Sequence, residues 1–420
     1  MIGPQTLAIP IRSFRFAPFL GKELGPLSMV TSLSVAEDFT DNANQTKNNR
    51  QSQFSTSIAP AVAFHFDRGV TTLDLAYAPS FFIPNTGPRE TTWNQDLSLR
   101  GSWQPSAQIR LGITQDLTKS NNFQAVGDIT SRRTGQQSFI ANTASANVSY
   151  SHSPWQATLS YVNGYSLNDV PGGDTSRTNS VRAGVDLSNP GYTLGGSYSL
   201  SRGDFNISPS SYWAQSAEAH ASHPFTPRIT GTLSASFGSQ TPDVGQDFAI
   251  YGANAGAVMA LTPDSTLSVS MGPQVFAPRG SPSSITPSTS ISYTKQFAHF
   301  SLSAQYTNGL QTNFTAINNT GVTQTRAASV SLATSTFRDL TASLAGIYAE
   351  SNFKQTTVAG AAAGTTDRTW NANLAIQYSL LRWLSLSLGY TFTIRTSTEA
   401  TAGFYENNVR LALTAQYTPF

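Results

Sequence analysis

The chain has 420 residues, and only 11% of them are charged, whereas about a quarter are charged in an average soluble protein. The mean hydropathy is nevertheless −0.21, and no run of about 18 apolar residues is present that would span a bilayer as a helix. The net charge of +2 gives no indication of a nucleic-acid partner. Because the chain has no cysteine, disulfides, thiolate metal sites and cysteine nucleophiles are excluded.

A strand-like alternation of large apolar and small polar residues recurs about twenty times along the chain. In the segment 384–394 every even position is large and apolar, and every odd position is Ser, Thr or Gly. Successive side chains of a strand point to opposite faces, so one face of such a strand is hydrocarbon and the other is small and polar. A sheet of this kind places its apolar face against lipid and its polar face toward a wet lumen. The pattern predicts a transmembrane β-barrel.

The first 26 residues precede the alternating pattern and contain several prolines and phenylalanines. Their start, Met1 to Pro4, lacks the basic and long apolar regions of a secretory signal, so we expect that a signal peptide was removed from this chain. We predict two regions, an N-terminal periplasmic or lumenal extension at 1–26 and a barrel at 27–420. The extension would either plug the lumen in part or dock a periplasmic partner.

Short turn-forming connections alternate with longer polar segments along the rest of the chain. Pro, Gly, Asn and Asp favour tight turns through a preset φ, access to positive φ or side-chain capping. The short connections are near 67–69, 104–107, 153–154, 189–191, 226–228, 262–265, 297–299, 336–339 and 381–382. The long ones are near 41–52, 85–92, 118–136, 166–177, 203–211, 239–246, 278–286, 311–324, 351–367 and 396–404.

These connections predict a single up-and-down antiparallel barrel of about 20 strands, with about 18 or 22 as alternatives. The first strand would begin near Leu27 and the last would end at Phe420. Because short turns lie on the periplasmic side of outer-membrane barrels, an even number of strands places both termini in the periplasm. The chain is therefore predicted to lie in the bacterial outer membrane, in contact with its lipid and lipopolysaccharide.

Charged residues of the predicted strands fall largely in the inward phase, since an Arg or Lys at the bilayer midplane costs roughly 2–4 kcal/mol. They either filter solutes by their field or pair with each other to brace the wall, and the sequence leaves both readings open. The i, i+2 pair Glu218 and His220 could in principle hold a metal, although a polar pair lining the lumen is the simpler interpretation. The candidate lumen-lining residues are Asp74, Asp96, Arg100, Arg110 and Asp116 on three consecutive strands; Arg182 and Asp186; Glu218 and His220; and Arg395, Glu406 and Arg410 on the last two strands.

Aromatic residues gather where predicted strands end, as in the two interfacial girdles of membrane barrels. Trp103, Trp155, Phe225, Phe297 and Trp383 lie near the short connections, and Trp93, Tyr251 and Trp370 lie near the long ones. The longest connection, from Lys119 to Gln137, is either a mobile surface loop or a constriction folded into the lumen. The terminal Phe420 is expected to be read by the barrel-assembly machinery.

The opening of the barrel carries a family resemblance. Its first strand contains Asp38-Phe39-Thr40-Asp41-Asn42, its second has Ser57-Ile58-Ala59-Pro60, and Tyr77-Ala78-Pro79 follows. These residues resemble outer-membrane barrels of the beta-barrel porin 2 type, which are often associated with exopolysaccharide systems. The resemblance implies an outer-membrane pore of a Gram-negative bacterium, with polysaccharide export as one option.

The predicted function is a porin-like channel for passive passage of hydrophilic solutes or for export of polysaccharide. The alternative is a non-catalytic scaffold that sheathes or anchors a partner protein. Catalytic motifs such as G-x-S-x-G and the Walker sequence are absent from the sequence. We therefore predict that the protein is not an enzyme and uses no cofactor.

Overall fold

The computed structural model describes residues 26–88, 90–120, 138–168, 173–206, 211–314, 319–337, 339–355, 364–399 and 402–417. None of these described residues is helical, and the described ranges accordingly hold no helix long and apolar enough to cross a bilayer. The extension at 1–25, the stretch 121–137 and the terminal 418–420 lie outside the described residues, so the predictions that fall on them stay predictions.

In the part of the chain that the structure describes, twenty antiparallel strands form one closed sheet. Each strand pairs with its neighbours in the chain, and β1 pairs with β20 over Thr31–Thr40 and Asn408–Tyr417. Because closure leaves no unpaired sheet edge, the backbone groups are satisfied within the wall. The strands are β1 (Leu27–Thr40), β2 (Gln53–Asp67), β3 (Thr71–Thr86), β4 (Thr92–Trp103), β5 (Ile109–Ser120), β6 (Phe139–His152), β7 (Trp155–Asn168), β8 (Thr175–Asn189), β9 (Tyr192–Phe205), β10 (Tyr212–Thr226), β11 (Ile229–Pro242), β12 (Phe248–Thr262), β13 (Ser265–Pro278), β14 (Ser284–Gln296), β15 (Phe300–Phe314), β16 (Asn319–Phe337), β17 (Leu340–Gln355), β18 (Thr366–Leu381), β19 (Leu384–Ser397) and β20 (Phe404–Tyr417).

The fold prediction is confirmed, whereas several strand boundaries differ from prediction. All nine short connections separate strands as predicted, and β1 begins at Leu27. The predicted long loop at 311–324 is wrong, because β15 runs to Phe314 and β16 starts at Asn319. Polar residues there continue the ladder, since backbone pairing does not require an apolar side chain. We call the two rims the short-turn end and the long-loop end.

The two faces of the wall differ as the alternation predicts. Large apolar residues of one phase, such as Leu159, Val181 and Leu411, are exposed on the outer face. Trp103 and Trp155 near the short-turn end, and Trp93 and Trp370 near the long-loop end, are about half exposed on that same face. This is the distribution of a lipid-facing band between two aromatic girdles.

A packed apolar cluster lies on the inner face near the long-loop end. Tyr212 of β10, Phe248 of β12, Phe276 of β13 and Val322 of β16 form its buried centre, and Leu310 of β15 packs against it. Contact between β16 and β10–β13 is not a sheet contact, since these strands are not neighbours in the barrel.

The β15–β16 hairpin reaches this cluster by leaving the wall. Pairing of β14 with β15 stops at Thr289 and Asn308, and beyond that point the backbone N–H of Leu310 donates to Oε1 of Gln274 on β13, at 2.8 Å. The hairpin thus leans across β14 toward the lumen and narrows it at the long-loop end.

Candidate functional site

The inner face of β3, β4 and β5 carries a group of exposed charged side chains that we call the open wall. Cross-strand register places Asp74 opposite Arg100 and Asp116 opposite Ser98, so these side chains share one face. Within the described residues Arg100, Arg110 and Asp116 form no ion pair, and all three are exposed. The open wall consists of Asp74, Asp96, Arg100, Arg110 and Asp116.

The two remaining acids of the open wall have local partners. Oδ1 of Asp74 lies 2.5 Å from Nδ1 of His65 on β2, with both side chains about half exposed. Asp96 accepts a hydrogen bond of 2.9 Å from the hydroxyl of Thr118. The contact of His65 with Asp74 could not be predicted from the sequence, because it depends on the register of β2 against β3.

A second group joins β8 and β10 across the intervening β9, and we call it the bridged cluster. Nη2 of Arg182 lies 3.7 Å from Oε2 of Glu218, and Nε2 of His220 lies 3.0 Å from Oδ1 of Asp186. The sequence placed these four residues in two separate pairs, each within one strand. The structure instead connects each acid to a base on the other strand.

Gly195 of β9 makes the Asp186–His220 bridge possible. A Cβ at this position would lie 2.0 Å from Oδ1 of Asp186 and 2.5 Å from Nε2 of His220. Both side chains therefore occupy the space above the glycine. Glu218 and His220 each contact a residue of β8, Arg182 and Asp186 respectively. Among the described residues no group of three or more His, Cys, Asp and Glu could hold a metal ion.

Arg395, Glu406 and Arg410, which were predicted as one group, all lie on the inner face, and the contacts described for them are with different neighbours. Nη2 of Arg395 lies 3.4 Å from Oδ2 of Asp367 on β18, and both side chains are buried. Glu406 accepts hydrogen bonds from Thr40 at 2.8 Å and from Gln45 at 2.9 Å. Register places Arg395, Glu406 and Arg410 at different positions along the β19–β20 pair. Each side chain therefore lies beside a different set of neighbouring residues.

Arg410 belongs to the junction between β20 and β1. Its Nη1 lies 3.2 Å from Oδ1 of Asp38, and its Nη2 lies 3.2 Å from the hydroxyl of Ser57. Asp38 is directly opposite Arg410 in the closing pair of strands. The ion pair thus spans the point where the two ends of the chain meet.

The loop that follows β1 extends this junction. Asn407 donates to Asp41 through its backbone N–H at 2.8 Å and through Nδ2 at 2.7 Å, and Arg50 contacts the same carboxylate at 2.5 Å. Asn42 donates to the carbonyl of Tyr405 at 2.7 Å. We call the residues 38–42 and 405–410 the closing seam.

The pKa of Asp41 reflects these contacts. Burial acts to raise the pKa of Asp41, but the hydrogen bonds from Asn407 and Arg50 outweigh it and hold the pKa below its ordinary value. The ionised carboxylate is therefore the form that the closing seam stabilises.

The buried aromatic residues of the inner face are the features that sequence reasoning missed. Phe139, Phe353 and Phe404 are almost fully buried there near the long-loop end, in addition to the apolar cluster. One sequence signal could have indicated this packing. Phe139 is a large apolar residue on the strand face that otherwise carries the small residues Ala141, Thr143 and Ser145. Part of the lumen is therefore packed with hydrocarbon.

Comparison with known proteins supports the family resemblance. A family described as "Putative beta-barrel porin 2" matches residues 301–417. The resemblance is thus confirmed in the last third of the chain, whereas the residues that first indicated it lie near the start. No curated protein matches the chain in sequence.

Solved outer-membrane receptors and transporters share the fold at low sequence identity. The siderophore receptor PirA from Pseudomonas aeruginosa has a TM-score of 0.56 and 9% identity, covering 93% of this chain and 80% of its own. The FrpB iron transporter from Neisseria meningitidis has a TM-score of 0.55 and 11% identity, covering 92% and 81%. PirA from Acinetobacter baumannii has a TM-score of 0.52 and 11% identity, covering 93% and 80%. The chain has the fold of a bacterial outer-membrane barrel.

Proposed function

We propose that this protein is a passive channel for small hydrophilic solutes, with its long loops outside the cell and both termini in the periplasm. The observation that carries the proposal is the open wall, where Arg100, Arg110 and Asp116 are exposed on the inner face and form no ion pair within the described residues. A charge that only braces a wall is expected to have a partner. Charges left facing a wet lumen act on the solutes that pass.

Both signs of charge occur in the open wall, which suits neutral polar solutes better than a strongly ion-selective flux. The remaining lumen surface is rich in hydroxyl and amide groups, which offer hydrogen bonds to a sugar-like solute. Export of polysaccharide is a narrower use of the same lumen. Liposome swelling with sugars of increasing length distinguishes a channel for small solutes from a channel for polysaccharide. A channel for small solutes admits short sugars and excludes longer ones.

Entry at the long-loop end is controlled, in this proposal, by the β15–β16 hairpin. Val322 is fully buried in the apolar cluster, and a hydrophobic constriction can gate a pore by excluding water. Replacing Val322 with Ser should loosen the hairpin and raise conductance.

Planar-bilayer recording tests the channel. The proposal predicts discrete conductance steps from the purified protein, with larger or more frequent openings for Val322→Ser. Protein that inserts and never conducts in either form would contradict it. A stoichiometric protein that co-purifies in mild detergent and blocks the current would favour the scaffold instead.

A further inference from the structure

The outer face carries a row of charged residues that the proposed channel does not use. Arg326 of β16, Glu350 of β17 and Arg368 of β18 are direct partners across three strands. They share a face with Leu332, Leu344 and Leu374 in the same registers, and that face is the lipid-facing one, since Leu344 is 53% exposed. A charged row facing lipid is costly unless it lies at the interface.

The row lies at the interface, beside the aromatic girdle of the long-loop end. Tyr348 and Trp370 are two residues nearer the middle of their strands, and their rings are 4.4 Å apart. Trp370 is 55% exposed. Rings of this kind lie at headgroup level, so Arg326, Glu350 and Arg368 lie at or just beyond the headgroups.

One acid serves both arginines. Nη1 of Arg326 lies 3.2 Å from Oε1 of Glu350, and Nε of Arg368 lies 2.9 Å from Oε2. Within the described residues the two arginines form no further ion pair, and their side chains are 50% and 58% exposed. Their register partners on the outer strands, Asn308 and Thr396, are uncharged. The row therefore keeps an excess positive charge and several guanidinium nitrogens that can still donate.

Arg202 of β9 shows the contrasting arrangement on the same rim. Its guanidinium lies 5.5 Å from the ring of Trp213, another exposed girdle residue. Unlike Arg326 and Arg368, which share one carboxylate, Arg202 contacts two carboxylates. Its Nε contacts Asp204 at 2.7 Å, and its Nη1 and Nη2 contact Asp243 at 2.9 and 2.7 Å. All three guanidinium nitrogens of Arg202 donate to a carboxylate, and the two negative charges of Asp204 and Asp243 exceed its single positive charge.

We propose that Arg326 and Arg368, which are both paired with Glu350, bind a phosphate of a phosphorylated glycolipid in the outer leaflet, while Trp370 lies against the lipid's apolar part. Arginine binds phosphate through paired, charge-assisted hydrogen bonds, and basic pockets at membrane interfaces recognise lipid headgroups. A lipid fits better than a free anion because the arginines open onto the lipid-facing side beside an aromatic ring. The proposal rests on the orientation given under Proposed function and is independent of whether the lumen conducts.

Fluorescence anisotropy of labelled bis-phosphorylated lipid A, with the full-length protein folded in a non-ionic detergent, tests the site. The double variant Arg326→Gln/Arg368→Gln should weaken binding by roughly tenfold for each arginine lost. Glu350→Gln leaves both cations and should bind at least as tightly as wild type. Arg202→Gln, the matched control on the same rim, should bind as wild type does.

Three outcomes would overturn the proposal. The first is undiminished lipid A binding by the double variant, with folding verified by heat-modifiable gel mobility. The second is equal binding of dephosphorylated lipid A. The third is displacement of lipid A by millimolar inorganic phosphate, which would indicate a site for the free anion. If Arg326→Lys/Arg368→Lys binds as weakly as the Gln variant while folding normally, the paired hydrogen bonds rather than charge alone provide the recognition.

Discussion

The open wall and the inner-face ion pairs at and beside the closing seam use the same residue types, yet their charges are arranged in opposite ways. At the closing seam and beside it, Arg410 contacts Asp38, and Arg395 is buried against Asp367. In the open wall, Arg100 and Arg110 are exposed and have no ion-pair partner among the described residues. We infer that the charges paired across strands stabilise the barrel, whereas the unpaired charges of the open wall act on solutes in the proposed channel.

The largest effect is expected beside the closing seam. Asp367→Ala removes the carboxylate that lies 3.4 Å from the buried guanidinium of Arg395, and breaking a buried pair in this way costs about 3–5 kcal/mol. Guanidinium titration of vesicle-folded protein, followed by tryptophan fluorescence, measures the loss in free energy of unfolding. Asp116→Ala, an exposed acid of the open wall, is the control and should change stability by no more than about 0.5 kcal/mol. Equal effects of the two substitutions would remove the distinction between the regions.

The next effect concerns Asn407, which donates twice to Asp41. Asn407→Ala removes the Nδ2 donor and keeps the backbone N–H, so it should lower the free energy of unfolding by about 2 kcal/mol at neutral pH, since one hydrogen bond to a charged group is worth about 1.5–3 kcal/mol. Because the folded pKa of Asp41 is lowered, the stabilisation is complete above the ordinary aspartate pKa of about 3.9 and is lost as pH falls through the lower folded value. The difference between wild type and variant should therefore shrink below about pH 4. A difference that stays constant down to pH 2 would contradict this origin.

A smaller loss of stability is expected in the bridged cluster. Its charges are paired, unlike those of Arg100 and Arg110, but they are exposed or partly exposed, unlike those of Arg395 and Asp367. Gly195→Ala would push apart Asp186 and His220, and an exposed ion pair is worth at most about 1 kcal/mol. Gly346→Ala is the matched control, because a Cβ there meets nothing within 4 Å, and it should be neutral or slightly stabilising. Thermal unfolding measured by gel mobility ranks the two. A Gly195→Ala variant as stable as Gly346→Ala would show that the bridge contributes nothing.

The sequence predicted the barrel because its evidence is local: alternation sets the faces, and Pro, Gly and Asn mark the turns. Strand ends were less predictable, since polar residues such as those at 311–314 pair as well as apolar ones outside the membrane. The closing seam was not predictable in detail, because Asp41 and Asn407 are 366 residues apart in sequence. Asp38 and Asp41 are among the residues that carry the family resemblance. Their contacts with Arg410 and Asn407 form only because the barrel closes between β1 and β20.

For the lumen charges, too, the sequence predicts the local feature, which is the face of the strand, and does not predict the contacts between strands. The inward phase of Arg100 and Arg182 follows from the alternation, but the sequence could not decide between bracing and filtering. That choice depends on which side chains reach one another across neighbouring strands, as Gly195 shows for the bridged cluster. The apolar cluster around Val322 was not predicted because it forms where the β15–β16 hairpin leaves the wall, and no local sequence pattern indicates that departure.

The smallest stability effect and the most direct test both belong to the open wall. Arg100→Gln/Arg110→Gln should leave the free energy of unfolding nearly unchanged, within about 0.5 kcal/mol. The remaining Asp74, Asp96 and Asp116 should then dominate the local potential and shift the channel toward cations. The matched control is Arg326→Gln/Arg368→Gln, which removes the same charge from the outer face and should not alter selectivity.

Reversal potentials in a salt gradient measure this shift. We expect cation preference for the open-wall double variant at low salt, fading near 1 M, where the Debye length is about 3 Å, with wild-type selectivity in the outer-face control. An unchanged reversal potential at low salt, accompanied by lost stability, would show that Arg100 and Arg110 brace the wall and would contradict the proposed filter.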